Sequence, residues 1–369
     1  MRKWTGCRRK DFSVRKFWIG SLLLLLILPL AGTEQFRLIH SDKLFLARVQ
    51  EEQVLELTGK VHFWYGQTEF KSDRAQIFDK QKIARLNGNV SVANDSLYLE
   101  ADSLAYYRIP EELNAGGKVY ISETRQTGSF RWFRSDFATY NKTDDKLTVW
   151  RNVSSWDKDE NATATCGYAF WDRKNGYAYM IEDPFVQAGI EDTLYVTADK
   201  IEFFDEDRKL VATFNVDVST RDYRATSDFL IYFLKEDKAV FTGQPRFQSD
   251  WATAQALEFN LYFTERKLTQ AELIDSCMVY FSEERLGEQR NWVRADYINL
   301  SFEQDAIREF TAEKDISYYY FQEKQEKRDF FINSASGEFL EAKFNSDNKL
   351  DLMKMRRSIK GIYIFHNNS

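Results

Sequence analysis

Ser72-Asp73-Arg74-Ala75-Gln76-Ile77, followed by Leu86-Asn87-Gly88-Asn89-Val90 and then by Ala101-Asp102-Ser103-Leu104-Ala105-Tyr106, holds two short phrases that recur along the chain. The first phrase is a small residue, Asp, any residue, an apolar one, any residue and a second apolar one. It stands also at Ser41-Asp42, Ser135-Asp136, Ala198-Asp199, Ser227-Asp228 and Ala295-Asp296. Degenerate copies lie at Gly167 and Gln255, and a last one begins near Ser336. From Asp42 to Gln255 the steps are 31, 29, 34, 31, 32, 29 and 27 residues, and the next, to Asp296, is 41. The second phrase carries Gly-x-Val: Gly59-Lys60-Val61, Gly88-Asn89-Val90 and Gly117-Lys118-Val119, with weaker forms at Val149 to Val153, Phe214 to Val218 and Gly243-Gln244-Pro245. Apolar residues within each phrase keep one parity, and a period of two means strand. Each unit therefore reads as two strands, one opened by Asp and one carrying Gly-x-Val. Charged clusters at Asp79–Lys82, Asn141–Lys146, Asp205–Lys209, Lys235–Lys238 and Thr264–Lys267 read as the turns between them. Longer polar loops are expected at Asp157–Asn161, Glu283–Arg290 and Glu323–Asp329.

Composition agrees. The 369 residues include 30 Phe, 19 Tyr and 9 Trp but only 4 Pro, where average usage would give roughly 18. Aromatic side chains fit a pleated surface, and proline cannot donate to a ladder. Length alone would suggest two or three domains, but no Pro/Gly/Ser linker interrupts the repeat. About ten units, roughly twenty strands, are expected as one continuous all-β array over residues 33–369.

Residues 1–32 read differently. Seven basic groups and one acid precede an apolar run from Phe17 to Leu30, then Ala31 and Gly32. That order describes a secretory signal peptide, with an uncleaved N-terminal membrane anchor as the alternative. Without this segment the chain nets −12, which argues against nucleic acid as a partner. Cys166 and Cys277 are 111 residues apart with no CxxC spacing, so a disulfide and two buried thiols both remain open.

The repeat has an apolar side. Its first strands place Leu44 and Leu46, Ile77, Leu104 and Tyr106, Tyr140, Ile201 and Phe203, Leu230 and Tyr232, and Ile298 and Leu300 on one face. Its second strands add Val90, Val92, Val119, Ile121, Val216 and Val218. Arg74, Gln76, Ser103, Lys200, Glu202 and Asn299 alternate with them and suit water. If each unit adds one strand to each of two facing sheets, ten layers give a trough on the order of 50 Å long. Such a groove suits long acyl chains, whose burial is worth about 0.8 kcal/mol per methylene. Tyr106, Tyr140, Trp171, Phe203, Tyr232 and Phe259 are expected at one position of the unit.

The alternation of Ala/Ser-Asp-x-Leu-x-Tyr with Gly-Asn-Val, at about thirty residues per unit behind a signal sequence, resembles the OstA/LptA superfamily of periplasmic lipopolysaccharide-transport proteins. The resemblance covers Phe36 to about Tyr363. It is strongest over 55–121 and 195–247, and includes the closing Gly361-Ile362-Tyr363. It implies an elongated V-shaped β-jellyroll (a β-taco) that takes the lipid A acyl chains of lipopolysaccharide in its cleft, with the eighteen apolar residues above as candidate contacts. It further implies a periplasmic location, LptC-, LptF- and LptG-like partners at the inner membrane, an LptD-like receptor at the outer membrane, and edge-strand pairing that also permits a head-to-tail homo-oligomer. The chain has more units than a single domain of that family.

Three other classes are weighed. An outer-membrane β-barrel would also use alternating strands, but charged residues are spread between these strands. A surface β-solenoid would stack parallel coils. An enzyme is not expected: His40, His62 and His366 lack metal spacing, and no phosphate loop is present. The repeated aspartates Asp73, Asp102, Asp136, Asp199 and Asp228 lack the dense ligand loops of calcium solenoids. They read as residues that open strands and accept hydrogen bonds from nearby backbone N–H groups. No cofactor is expected.

Overall fold

A computed structural model describes residues 36–49, 51–95, 97–124, 128–189, 193–250, 252–265, 267–281, 291–303, 306–324, 329–345 and 350–366. The signal or anchor at 1–32 lies outside the described residues. So do the loop expected at Glu283–Arg290 and residues 325–328 of the loop expected at Glu323–Asp329. The described residues form 26 strands and no helix. The ladders are antiparallel, in an elongated jellyroll-like arrangement.

The strands are chain passes bent in the middle. In the strand Thr68–Phe78, Glu69–Lys71 pair with residues 91–93, and Arg74–Phe78 pair with residues 83–87. The register shifts between these two halves. One half lies in one arm of the sheet and the other half in the second arm. Six passes are interrupted at the bend and count as two strands each. These are 36–49, 177–188, 194–204, 238–249, 252–264 and 350–366. The 26 strands are therefore twenty passes, and every pass adds to both arms. At about 4.8 Å per strand, each arm extends about 90 Å. The 50 Å expectation is corrected: both strands of each unit contribute to both arms, so there are twice as many layers.

The repeated phrases are the bends. At ten successive bends two neighbouring residues stand at positive φ, among them Gly88 (79°) with Asn89 (45°), Arg151 (62°) with Asn152 (55°), and Asp275 (59°) with Ser276 (54°). One residue of the neighbouring pass lies opposite two of these. Val61 pairs with Ser72 and Thr58 with Arg74, so Gly59-Lys60 faces Asp73. This is a β-bulge, which bends and twists the strand that carries it. The Asp phrase thus sits mid-strand at most bends, as in Thr68–Phe78, Leu97–Tyr107 and Tyr223–Phe233. Only Asp42 and Asp199 directly precede a strand.

The aspartates hold the bend together with side-chain amides. Asn89 Nδ2 donates to Asp73 Oδ2 (2.8 Å), Asn152 Nδ2 to Asp136 Oδ2 (2.9 Å) and Asn215 Nδ2 to Asp199 Oδ1 (3.0 Å). The expected backbone N–H donors to these carboxylates are replaced there by asparagine, a residue that tolerates the left-handed region. The Asp backbone contributes separately: the Asp42 N–H donates to the Gly59 carbonyl and the Asp228 N–H to that of Gly243, both at 3.0 Å. A Cβ on Gly88 would lie 2.5 Å from Asp73 Oδ2. At one bend the two roles exchange passes: Gly167 takes the Asp position, and a Cβ there would lie 2.3 Å from Glu182 Oε2.

The residue after each left-handed pair is buried except on the last pass, where Ile359 is 53% exposed. Val61, Val90, Val119, Val153 and Val216 are buried, and Pro184, Pro245 and Cys277 occupy the same slot. Proline is tolerated there because the ladder is already broken. Two weak copies are shifted from their expected register. The unit expected at Gln255 runs Ala256-Leu257-Glu258-Phe259, which leaves Leu257 58% exposed. Phe259 therefore stands two residues nearer the bend than the aromatic position assigned to it. The last unit is Gly337-Glu338-Phe339-Leu340, in which the Glu338 N–H donates to the Arg357 carbonyl (3.3 Å).

The hairpin turns form the two free lips of the arms. Turns at 79–82, 142–145, 205–208 and 234–237 fall where the charge clusters place them, and 158–161 is a four-residue turn.

Candidate functional site

The inward residues of the two arms meet each other. Tyr106 packs against Phe70 and Tyr65 of the opposite arm, with ring centroids at 5.7 and 5.8 Å. Of the candidate contacts, Ile77, Val90, Val92, Leu104, Tyr106, Val119, Ile121, Ile201, Val216, Val218, Leu230, Ile298 and Leu300 are buried. Tyr140, Phe203 and Tyr232 are half-buried. Leu44 and Leu46, on the first pass, are 54% and 66% exposed. The tyrosine slot has a local logic: the ring turns inward and the hydroxyl meets the lip turn. Tyr140 Oη donates to Asp145 Oδ1 (2.9 Å) and Tyr232 Oη to Asp237 Oδ1 (3.0 Å). Burial, then the Asp145 carboxylate, pushes the Tyr140 phenol up to about 12.

The inward side chains form two cores. One runs from Leu57 to Cys166 and the other from Val196 to Ala342, with Met180 packed against both. Between them lies a cavity of about 460 Å³. Its origin is legible residue by residue. One inward row, one slot from the bend, reads Phe63, Phe70, Val92, Leu99, Ile121 and Phe133 across successive passes. It continues as Ser155 and Ala164 before Val186. Two small side chains follow six large ones, and Ala162 is small in the next slot out. Opposite them the other arm brings Val149, Ala169, Trp171, Met180, Ile201 and Phe203 to the cavity. Cys166 also lines it, beside the bend. Both Cys166 and Cys277 are free thiols. Burial raises them, to about 11 and about 12.

Charged contacts between the arms flank this cavity at the lips. On one side, Arg173 of one arm pairs with Glu123 of the other, and with Asp145 at 3.1 Å. Arg131 lies over the Trp171 ring at 4.3 Å. On the other side, Arg208 in one lip turn pairs with Glu160 in the opposite lip turn at 3.2 Å. Arg131 Nε is 2.9 Å from Glu123 Oε2 but off the N–H direction. Arg131 Nε and Nη2 are both buried without a hydrogen-bond partner. Such unmade bonds are costly in a low-dielectric wall. The rim also carries Asp157, Asp159 and Asp205.

Periodicity puts Ile201 and Phe203 on the inward face, but it does not gather Ser155, Ala164, Arg131 and Trp171 into one site. The two small residues were available as departures from the bulky row. The lip contacts join residues 48 and 50 apart, which periodicity does not pair. Among the described residues, no group of three or more His, Cys, Asp or Glu is arranged to hold a metal ion.

No protein-family model matches the chain, and no curated protein matches it. A solved structure similar to part of it is LptH, the LptA-homologous periplasmic component of the lipopolysaccharide transport device of Pseudomonas aeruginosa. The identity is 16% and the TM-score 0.27, over 28% of this chain and 75% of that one.

Proposed function

We propose that the chain is an exported, periplasmic lipopolysaccharide-binding protein that shelters lipid A acyl chains between its arms as part of a bridge from inner to outer membrane. The observation that carries this reading is the apolar interior itself. Two arms of twenty strand segments each turn their apolar rows toward one another, with uncovered first and last passes. Transferring acyl chains into such an interior is favourable at about 0.8 kcal/mol per methylene, whereas the acidic surface gives an anionic headgroup nothing. Lipopolysaccharide as the cargo comes from the resemblance of the repeat, and so do the LptC-, LptF- and LptG-like partners and the LptD-like receptor. The ends suit edge pairing. Phe45 and Leu46 are exposed on the first pass, and Ile362, Tyr363 and Phe365 on the last. Unpaired strand edges are templates for another sheet. The chain is read as non-catalytic and without a cofactor.

A photocrosslinking residue placed at Leu46, Tyr140, Phe203 or Tyr232 tests the reading in cells. Adducts with lipopolysaccharide are expected from these inward positions and not from the outward Lys200. No adduct from any of the four would sink the proposal.

A further inference from the structure

We propose that the cavity between the two cores is a discrete site for one acyl chain, entered sideways between the Arg173–Glu123 and Arg208–Glu160 contacts that tie the lips together. The inference deepens the lipid-binding reading and rests on it, because it assigns where and how a chain is held.

Four observations converge on this site. The volume of about 460 Å³ falls in the range of small-ligand sites, about 300–1,000 Å³, and is too small for the full set of chains of a multi-acyl lipid. The wall is apolar on both arms, with Phe133 and Val186 on one and Val149, Trp171, Met180 and Phe203 on the other. The gap is built by side-chain size: Ser155 and Ala164 interrupt a row that is otherwise bulky from Phe63 to Phe133. Finally, the wall holds an unpartnered donor, Arg131 Nη2, in a side chain only 13% exposed.

These features also define the ligand's chemistry. The methylenes lie against the apolar wall. An ester or amide carbonyl at the head of the chain accepts from Arg131. The Arg131 charge is already faced by Glu123, and the rim carries Asp157, Asp159 and Asp205 beside the paired Glu160 and Arg208. A bare anionic head is therefore repelled at the rim, and a neutral or zwitterionic acyl ester is preferred. Of the two lip contacts, Arg208–Glu160 is a part-exposed ion pair that breaks and reforms at little cost, whereas the Glu123 carboxylate of the Arg173 pair is buried and holds its side in place. They close the opening without sealing it.

The two free thiols provide the assay. Cys166 lines the cavity and Cys277 lies in the packed core. The purified full-length chain is labelled with an apolar thiol reagent at mildly alkaline pH, and each cysteine is read separately by mass spectrometry. Lysophosphatidylcholine at about ten times its Kd is expected to slow labelling of Cys166 by about tenfold, because only the unoccupied fraction reacts, and to leave Cys277 unchanged. The free fatty acid of the same chain length is expected to protect only at higher concentration. The ether analogue without a carbonyl is expected to protect more weakly than the ester. Ala164→Leu restores the bulky row and is expected to abolish protection while the thermal midpoint holds or rises, so the loss is not unfolding. Equal protection of Cys166 and Cys277, or full protection in a folded Ala164→Leu chain, overturns the site. Tighter protection by the fatty acid overturns the head assignment. If lysophosphatidylcholine fails to protect Cys166 while photocrosslinks from Leu46 to lipopolysaccharide persist, this cavity site falls and the broader lipid-binding reading stands.

Discussion

At the scale of single residues, the fold turns on pairs of left-handed residues packed against one carboxylate. Gly88 stands at φ 79°, and Asp73 occupies the space its Cβ would need. Gly88→Ala brings both a left-handed penalty and a steric conflict, and is expected to destabilise the chain by about 1–3 kcal/mol. Asp73→Ala in the same chain removes the carboxylate and is expected to restore part of that loss. Chemical denaturation of the single and double variants measures the coupling, and strictly additive effects would contradict the bend geometry. At Gly167 and Glu182 the glycine and the acid exchange passes, so either pass can supply the carboxylate.

Whole passes carry the edge chemistry. Interior passes are bonded on both sides, whereas 36–49 and 350–366 are the ends of the described ladders. The last pass leaves Ile362 66% and Phe365 72% exposed. Lysine on an edge strand blocks addition of another edge. Where the proposed edge pairing joins two copies of the chain, Ile362→Lys is expected to weaken it, read as a shift toward monomer in sedimentation velocity, with an unchanged circular dichroism spectrum. If association is unaffected, the last pass is not the edge that pairs. Interior passes predict no such effect for outward charge changes.

The whole molecule is a long interior stitched by tyrosine. Burial raises the phenols of Tyr140, Tyr223, Tyr297 and Tyr318 to about 12 from an ordinary 10. A raised phenol favours the neutral form in the folded chain. Its stabilisation is complete below about 10 and is lost as the pH rises toward about 12. Alkaline titration is therefore expected to unfold the chain in that window. Tyrosinate absorbance should appear together with the loss of near-ultraviolet circular dichroism. Ionisation completed near pH 10 with the fold intact would contradict this burial.

The sequence by itself determined the strands, their faces and most of the turns, because side-chain alternation and charged turn clusters are local. Leu104 and Tyr106, Val119 and Ile121, and Asp205–Lys209 all fall where period two and turn chemistry place them. It did not reveal that both phrases are bends. Leu86 and Val90 stay in phase across Gly88-Asn89, so the pattern runs unbroken through the corner. A one-residue slip between Ser72 and Ala75 was the only local trace. At Leu257 the weak copy hid its register: the unit begins two residues later than Gln255 suggests, which puts Leu257 at the exposed bend position and keeps Phe259 inside. Tertiary structure alone brought Ser155, Ala164, Trp171 and Arg131 around one cavity and joined Arg173 to Glu123 and Arg208 to Glu160 across the lips. Those contacts depend on which passes face each other, and a repeat of near-equal units leaves that choice to packing.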